Sequence, residues 1–242
     1  MTASIIDMQL RRANKTIRSL LLTCFVLLPF TALAAGFSKE DLNGVWLIKA
    51  AIPVLQTADG KAPPLLPEAK AVYEQHQRSR QSGDNSFDRA TWCAAVGLPR
   101  LLLEARPFEI MVDRRQVGFF FEWNRWVRLV DMSGAELELY YPLSLGVPSG
   151  HWEKDNTLVV QTRGLMHENI MDHAGLPHSD QLVMTESLRL RDANTLENRI
   201  HFEDPLTFSQ AWETVVTYQR QKGARLQEDV CLDRINQGGA AL

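Results

Sequence analysis

The chain nowhere strings together the roughly 20 apolar residues that a membrane-spanning helix needs; its apolar run from Leu20 to Phe30 is too short, and a soluble body is expected beyond it. It has no phosphate-cradling glycine loop, no dinucleotide fingerprint and no Cys-x-x-Cys pair, which argues against nucleotide, dinucleotide or other cofactor use. An excess of positive charge is missing too. Residues 35–242 carry 22 Lys and Arg against 28 Asp and Glu, a net charge of −6 with histidines neutral. A mildly acidic surface offers no electrostatic footprint for nucleic acid or an anionic membrane. Histidines are few, and His167, His173 and His178 match no helix-face metal pair such as H-E-x-x-H, so no metal is expected.

What is present begins with the first thirty-odd residues. Arg11, Arg12, Lys15 and Arg18 precede an apolar run from Leu20 to Phe30, and Ala32-Leu33-Ala34 puts small residues where a signal peptidase reads. Residues 1–34 are therefore expected to be a cleaved secretory signal, with residues 35–242 a single domain in the periplasm or outside the cell. Cys24 lies between Thr23 and Phe25 inside the apolar run, a poor context for lipidation. The two remaining cysteines, Cys93 and Cys231, face an oxidising compartment, where they form either a disulfide or two buried thiols.

The rest of the chain has the texture of a β protein with one helix. Gly44 to Ile48 reads as a first strand. Pro67 to Gln81 reads as a helix, with proline in its first turn and Ala69, Val72, Tyr73 and His76 at helical spacing. From Pro107 onward, β-branched and aromatic runs recur with turn residues between them. Strands are expected near 108–113, 116–122, 125–131, 136–141, 157–163, 182–191, 195–203 and 211–220. Turns are expected at Asp113-Arg114-Arg115, Asp131 to Gly134, Lys154-Asp155-Asn156 and Asp192-Ala193-Asn194. Such a chain hides its sheet edges by closing into an antiparallel up-and-down β-barrel, and a two-sheet β-sandwich is the alternative. Gly44-x-Trp46 resembles the opening motif of the lipocalin-like group, whose tryptophan closes one barrel end, and this favours the barrel.

Two segments carry candidate chemistry. Three of the six histidines fall between His167 and His178, among Asp172, Ser179, Asp180 and Glu186. His178 with Asp180 or Asp172 offers an imidazole–carboxylate pair for proton transfer. The competing reading of Pro177 to Asp180 is a turn whose side chains bond nearby backbone. The other segment is the aromatic hairpin Phe119, Phe120, Phe121, Trp123 and Trp126, either core or the lining of a ligand pocket. Glu122 and Arg128 flank it as polar groups able to orient a ligand. Arg100 is either a surface residue or one that caps the barrel and binds a carboxylate.

Taken together these pieces resemble a large family of exported bacterial proteins without a settled reaction. The likeness runs through Asp41 to Trp46, Gly97-Leu98-Pro99-Arg100, Pro107 to Ile110, Gly150 to Glu153 with Asp155 to Val160, Asp172-x-x-Gly175-x-Pro177-His178-Ser179-Asp180, and Glu203-Asp204-Pro205. The resemblance implies that Cys93 and Cys231 are a bonded pair. Departures are Gly164 to His167, where the family often has Gly-Phe-Asn-Asp, and Leu98, where methionine is common.

The expectation with most support is a barrel binding a small, largely apolar or aromatic molecule, with Arg100, Phe119, Phe121, Glu122, Trp126 and Arg128 in contact with it. A cofactor-independent lyase, hydratase or isomerase using His178, Asp180 and Asp172 is the second. An envelope protein that binds a partner and no small ligand is the third, and would show an exposed apolar patch.

Overall fold

The computed structural model describes residues 36–135 and 138–240. The expected signal segment, residues 1–34, lies outside them. Nine strands form one closed ring in sequence order. They are β1 (Gly44–Ile48), β2 (Phe108–Val112), β3 (Gln116–Phe121), β4 (Val127–Asp131), β5 (Val147–Trp152), β6 (Leu158–Arg163), β7 (Val183–Asp192), β8 (Thr195–Glu203) and β9 (Trp212–Arg220). Side chains alternate in and out along each strand. Met184, Glu186, Leu188 and Leu190 of β7 are buried, as are Leu196, Asn198, Ile200 and Phe202 of β8 and Trp212, Thr214, Val216 and Tyr218 of β9. The barrel expectation holds and the sandwich alternative does not.

A ring of nine strands cannot be antiparallel throughout, because direction must repeat once on going round. The repeat falls between β4 and β5, which run parallel and share one registered pair, Asp131 with Ser149. Every other pair in the ring is antiparallel. This differs from the expected up-and-down meander. The strand expected over 136–141 is not there: residues 138–141 are not strand, residues 136 and 137 lie outside the described set, and Tyr140 and Tyr141 are exposed. The chain instead crosses back and enters β5, whose Pro148 and Gly150 hid it from a search for β-branched runs.

The expected turns are built by aspartates. Asp113, Asp131, Asp155 and Asp192 each accept the backbone N–H two residues on, from Arg115, Ser133, Thr157 and Asn194. Three of these close hairpins, while Asp131 opens the crossover.

One barrel end is shut by a short 3-10 turn, Lys39–Leu42, whose Leu42 carbonyl accepts the Trp46 indole N–H at 3.0 Å. The Arg220 guanidinium stacks over Trp46, 4.2 Å from its centroid, and donates to the Ala193 and Asn43 carbonyls. The opposite end is covered by the long β1–β2 connection. This holds α1 (Pro67–Gln81), a 3-10 turn (Arg89–Trp92) and α2 (Arg100–Leu103). Helix α1 starts and stops where expected, but none of its residues is fully buried. All four residues of α2 are buried, and its Leu102 carbonyl accepts the Tyr218 hydroxyl from inside the barrel. Cys93 and Cys231 form a disulfide, their Cα atoms 5.5 Å apart, pinning α3 (Cys231–Asn236) to this cap. In the chain-entropy picture a loop so long contributes ~4–5 kcal/mol. Among the described residues no helix is long and apolar enough to cross a membrane.

The outer wall of β2 to β4 is unusually apolar. Met111, Val127 and Leu129 point outward and are about half exposed. The Phe120 ring fills the space over Gly118, where a Cβ would lie 2.6 Å from it and 3.5 Å from Leu129.

Candidate functional site

The interior of the barrel carries a polar network in an otherwise apolar lining. Arg128 of β4, Thr162 of β6, Glu186 of β7 and Asn198 of β8 all occupy inward positions and are fully buried. The Arg128 Nη2 donates to the Glu186 carboxylate and, at 2.7 Å, to the Thr162 hydroxyl. Glu186 takes a second bond, 2.9 Å, from the Asn198 side-chain amide. The guanidinium carbon sits 5.4 Å from the centroid of the Phe119 ring. Burial and the adjacent Glu186 carboxylate push the Tyr218 phenol up, so it stays neutral.

This network is incomplete. The Nε and Nη1 of Arg128 and the Oδ1 of Asn198 are buried with no hydrogen-bond partner. A guanidinium has five N–H donors; with both on Nη2 engaged, the three on Nε and Nη1 have no acceptor. Leaving such groups unmet costs about 1–3 kcal/mol each, more for charged ones. Around them stands an aromatic wall, in which Phe108 lies 6.2, 5.4 and 5.0 Å from Phe119, Phe121 and Tyr218, centroid to centroid.

A second cluster holds the cap together. Arg100, fully buried, donates to Asp88 at 2.6 Å, and Arg80 reaches the other Asp88 oxygen at 3.2 Å. Burial alone would raise the Asp88 carboxyl. Its bonds to Arg100, the Ala90 amide and Arg80 outweigh that and hold it below the usual carboxylate range. His173 sits between Arg100 and Glu104, its Nδ1 3.4 Å from an Arg100 nitrogen and its Nε2 2.8 Å from Glu104. Gly97, which leads into this segment, has φ +78°, and a Cβ there would lie 2.5 Å from the Asn169 side chain. Only glycine fits.

The expected His178 dyad is not formed. Asp172 is buried, accepts the Leu55 and Leu176 amides at 2.8 and 2.9 Å, and is pushed up by burial. Burial, helped by the Asp172 charge, pushes the Tyr73 phenol up to about 12. Asp180 is exposed. His178 bonds the Ser179 carbonyl through Nδ1 at 2.8 Å, and its Nε2 is buried without a partner. Burial holds its pKa below the ordinary value. Ser179 donates its amide and hydroxyl to Asp204, at 2.7 and 2.6 Å, so Pro177-His178-Ser179-Asp180 is a turn locked to Glu203-Asp204-Pro205. The shorter imidazole–carboxylate contact in this region is His173 with Glu104, which the spacing of residues did not suggest; His167 and Glu168 lie 3.6 Å apart and exposed. Among the described residues no three His, Cys, Asp or Glu side chains gather as a metal site would require.

Of the expected ligand contacts, Phe119, Phe121 and Arg128 do face the barrel interior. Trp126 lies half-buried at the rim, packed against the core. Glu122 does not point inward: it accepts the Gln227 amide at 2.8 Å and anchors the C-terminal segment. Arg100 is neither on the surface nor in the barrel network; it serves the cap. Sequence reading passed over Asn198, although a signal existed. It is the one polar side chain in the inward series Leu196, Asn198, Ile200, Phe202 of a cleanly alternating strand.

Fold and site together define a closed nine-stranded barrel with a buried, partly unsatisfied polar core. No protein-family model, curated protein or solved structure matches the chain.

Proposed function

We propose that this protein works outside the cytoplasm and binds a small, largely apolar molecule inside the barrel, with Arg128 as its polar anchor. The observation that carries this reading is the set of unmet Arg128 donors beside an aromatic wall. Charge selects the ligand class. Arg128 and Glu186 cancel, so an added anion would leave a net buried negative charge, whereas a carbonyl or ether oxygen adds none. The ligand is therefore a neutral, aromatic or aliphatic molecule with an acceptor oxygen. Export is supported by the signal-like first 34 residues and by the Cys93–Cys231 bridge. The lipocalin likeness is supported by Trp46 lying beneath Arg220 at the closed end.

The test uses protein expressed with its own leader and purified from a bacterial periplasm. Native mass spectrometry reads any retained molecule, and Prodan, a neutral naphthyl ketone, reports binding by a blue-shifted emission. Combining Arg128→Met with Glu186→Gln removes the donors without stranding a charge. It should weaken Prodan by the value of a hydrogen bond to a charged donor, about 1.5–3 kcal/mol or roughly tenfold and more. A bare mass together with unshifted Prodan emission defeats the reading.

A second reading, acid–base catalysis, is favoured by one observation. His178 is held neutral by burial, its Nδ1 fixed on a carbonyl and its Nε2 bare. A base so placed supplies roughly 10²–10⁴-fold in rate.

A further inference from the structure

The Arg128 network lies directly behind the weakest part of the barrel wall. In the parallel register, Asp131 is level with Ser149, so Arg128 is level with Gly146 and the Leu129 position is level with Val147. The bond from Arg128 to Thr162 therefore runs from β4 to β6 behind the start of β5. At this height the wall consists of Gly146, Val147 and Pro148. Gly146 has φ +60°, and a Cβ on it would come within 2.6 Å of the Arg163 carbonyl, so no side chain can thicken the wall there.

The ladder also cannot continue past its single bridge. Met132 gives its N–H to the Arg115 carbonyl, which leaves the Asp131 bridge to be made through Pro148 and Gly150, the neighbours of Ser149. The next rung toward Leu129 calls on the N–H of residue 148, and proline has none. The seam is thus closed by packing, with no second rung. Outside it, Val127 and Leu129 present apolar side chains that are 46 and 48% exposed. On the β5–β6 side a cleft of about 1000 Å³ lies between Val147, Ser149, Gln161 and Arg163 of the strands and Ala135, Glu138, Leu139 and Tyr140 of the crossover. Both barrel ends are covered, one by Lys39–Leu42 and Trp46, the other by α2.

We propose that the β4–β5 seam between Leu129 and Val147 is the lateral portal through which a small neutral molecule reaches the Arg128 donors. This rests on the reading of the barrel interior as a binding site. β4 and β5 share one registered pair, away from this height, whereas every other pair of neighbours in the ring shares three or more.

The test closes the seam. In the exported protein, Leu129→Cys and Val147→Cys are bridged by a short bis-methanethiosulfonate, and Prodan binding is followed by stopped flow. Bridging should slow association and dissociation together, by about tenfold or more, with equilibrium affinity kept and both rates restored by removing the bridge with mild reductant. Asp131→Cys with Ser149→Cys, at the bridge itself, is the alternative pair if the first does not fold. Glu197→Cys with Thr217→Cys, across β8 and β9, is the control and should leave both rates unchanged. Shifted Prodan emission with rates indifferent to the seam bridge overturns the portal and leaves the interior site standing. Emission that fails to shift with the parent protein overturns the interior site, and the portal with it.

Discussion

Arg128→Met is expected to destabilise the protein by about 3–5 kcal/mol, the penalty for stranding the partner of a buried ion pair. In a domain of this size that corresponds to a fall in Tm on the order of 10 °C. Glu186 would keep only the Asn198 amide as a partner, and its side chain is fully buried. The same logic fixes the companion result. Adding Glu186→Gln to Arg128→Met removes the stranded charge and should recover most of the loss, because a neutral pair of similar volume tolerates burial well. Urea unfolding of the two single variants and the double variant gives the coupling. If Arg128→Met unfolds at the parent's midpoint, the pair is solvated in solution and the interior is open to water.

The second large effect is a pH dependence carried by His178. Burial holds its folded pKa below the ordinary value near 6.5, so between the folded pKa and about 6.5 the unfolded chain binds a proton that the folded one does not. Stability is then fully present above pH 6.5 and is lost as the pH falls through that window, at up to about 1.4 kcal/mol per unit. Two buried aspartates also contribute, with opposite signs. Asp172, pushed up by burial, favours the folded state as it takes its proton, so its contribution to stability grows on acidification. Asp88, held down mainly by Arg100 against the pull of burial, loses its contribution only once the pH falls below about 4. Chemical unfolding at pH 7.5, 6.5 and 5.5 (round values bracketing the histidine range) checks the slope. His178→Asn, which keeps a donor for the Ser179 carbonyl, should flatten it. A slope that survives in His178→Asn assigns the proton to another group.

Eight of the nine strands were legible because their hydropathy alternates or their ends carry Asp turns. β5 was not legible, since Val147-Pro148-Ser149-Gly150-His151-Trp152 has the residues of a loop and is a strand only because β6 pairs with it along six residues. The run Glu136 to Tyr141 misled for the opposite reason. Its alternation is regular, but Leu139 and Tyr140 stay exposed on the crossover. The interior site depended on register. In Val127-Arg128-Leu129-Val130 hydropathy alone would turn Val127 and Leu129 inward, yet pairing with β3 sets Arg128 beside Phe119 and sends the two apolar residues to the surface. His178 and its aspartates were close in sequence but do not bond one another, because their partners are backbone groups or lie elsewhere in the chain: Asp172 takes the Leu55 and Leu176 amides, His178 the Ser179 carbonyl, and Ser179 bonds Asp204.

The single parallel pairing divides the covalent chain as well as the wall. Unrolled from the seam, the sheet reads β5 to β9 and then β1 to β4, so the middle of the sequence forms both outer margins and the two chain halves meet along β9 and β1. Residues 44–131 and 147–220 thus form two separate blocks whose remaining covalent tie, once the crossover is cut, is Cys93–Cys231. A protease nick between residues 132 and 146 would leave a molecule that still migrates as one species until a reductant is added, and two fragments able to complement each other across the β9–β1 junction.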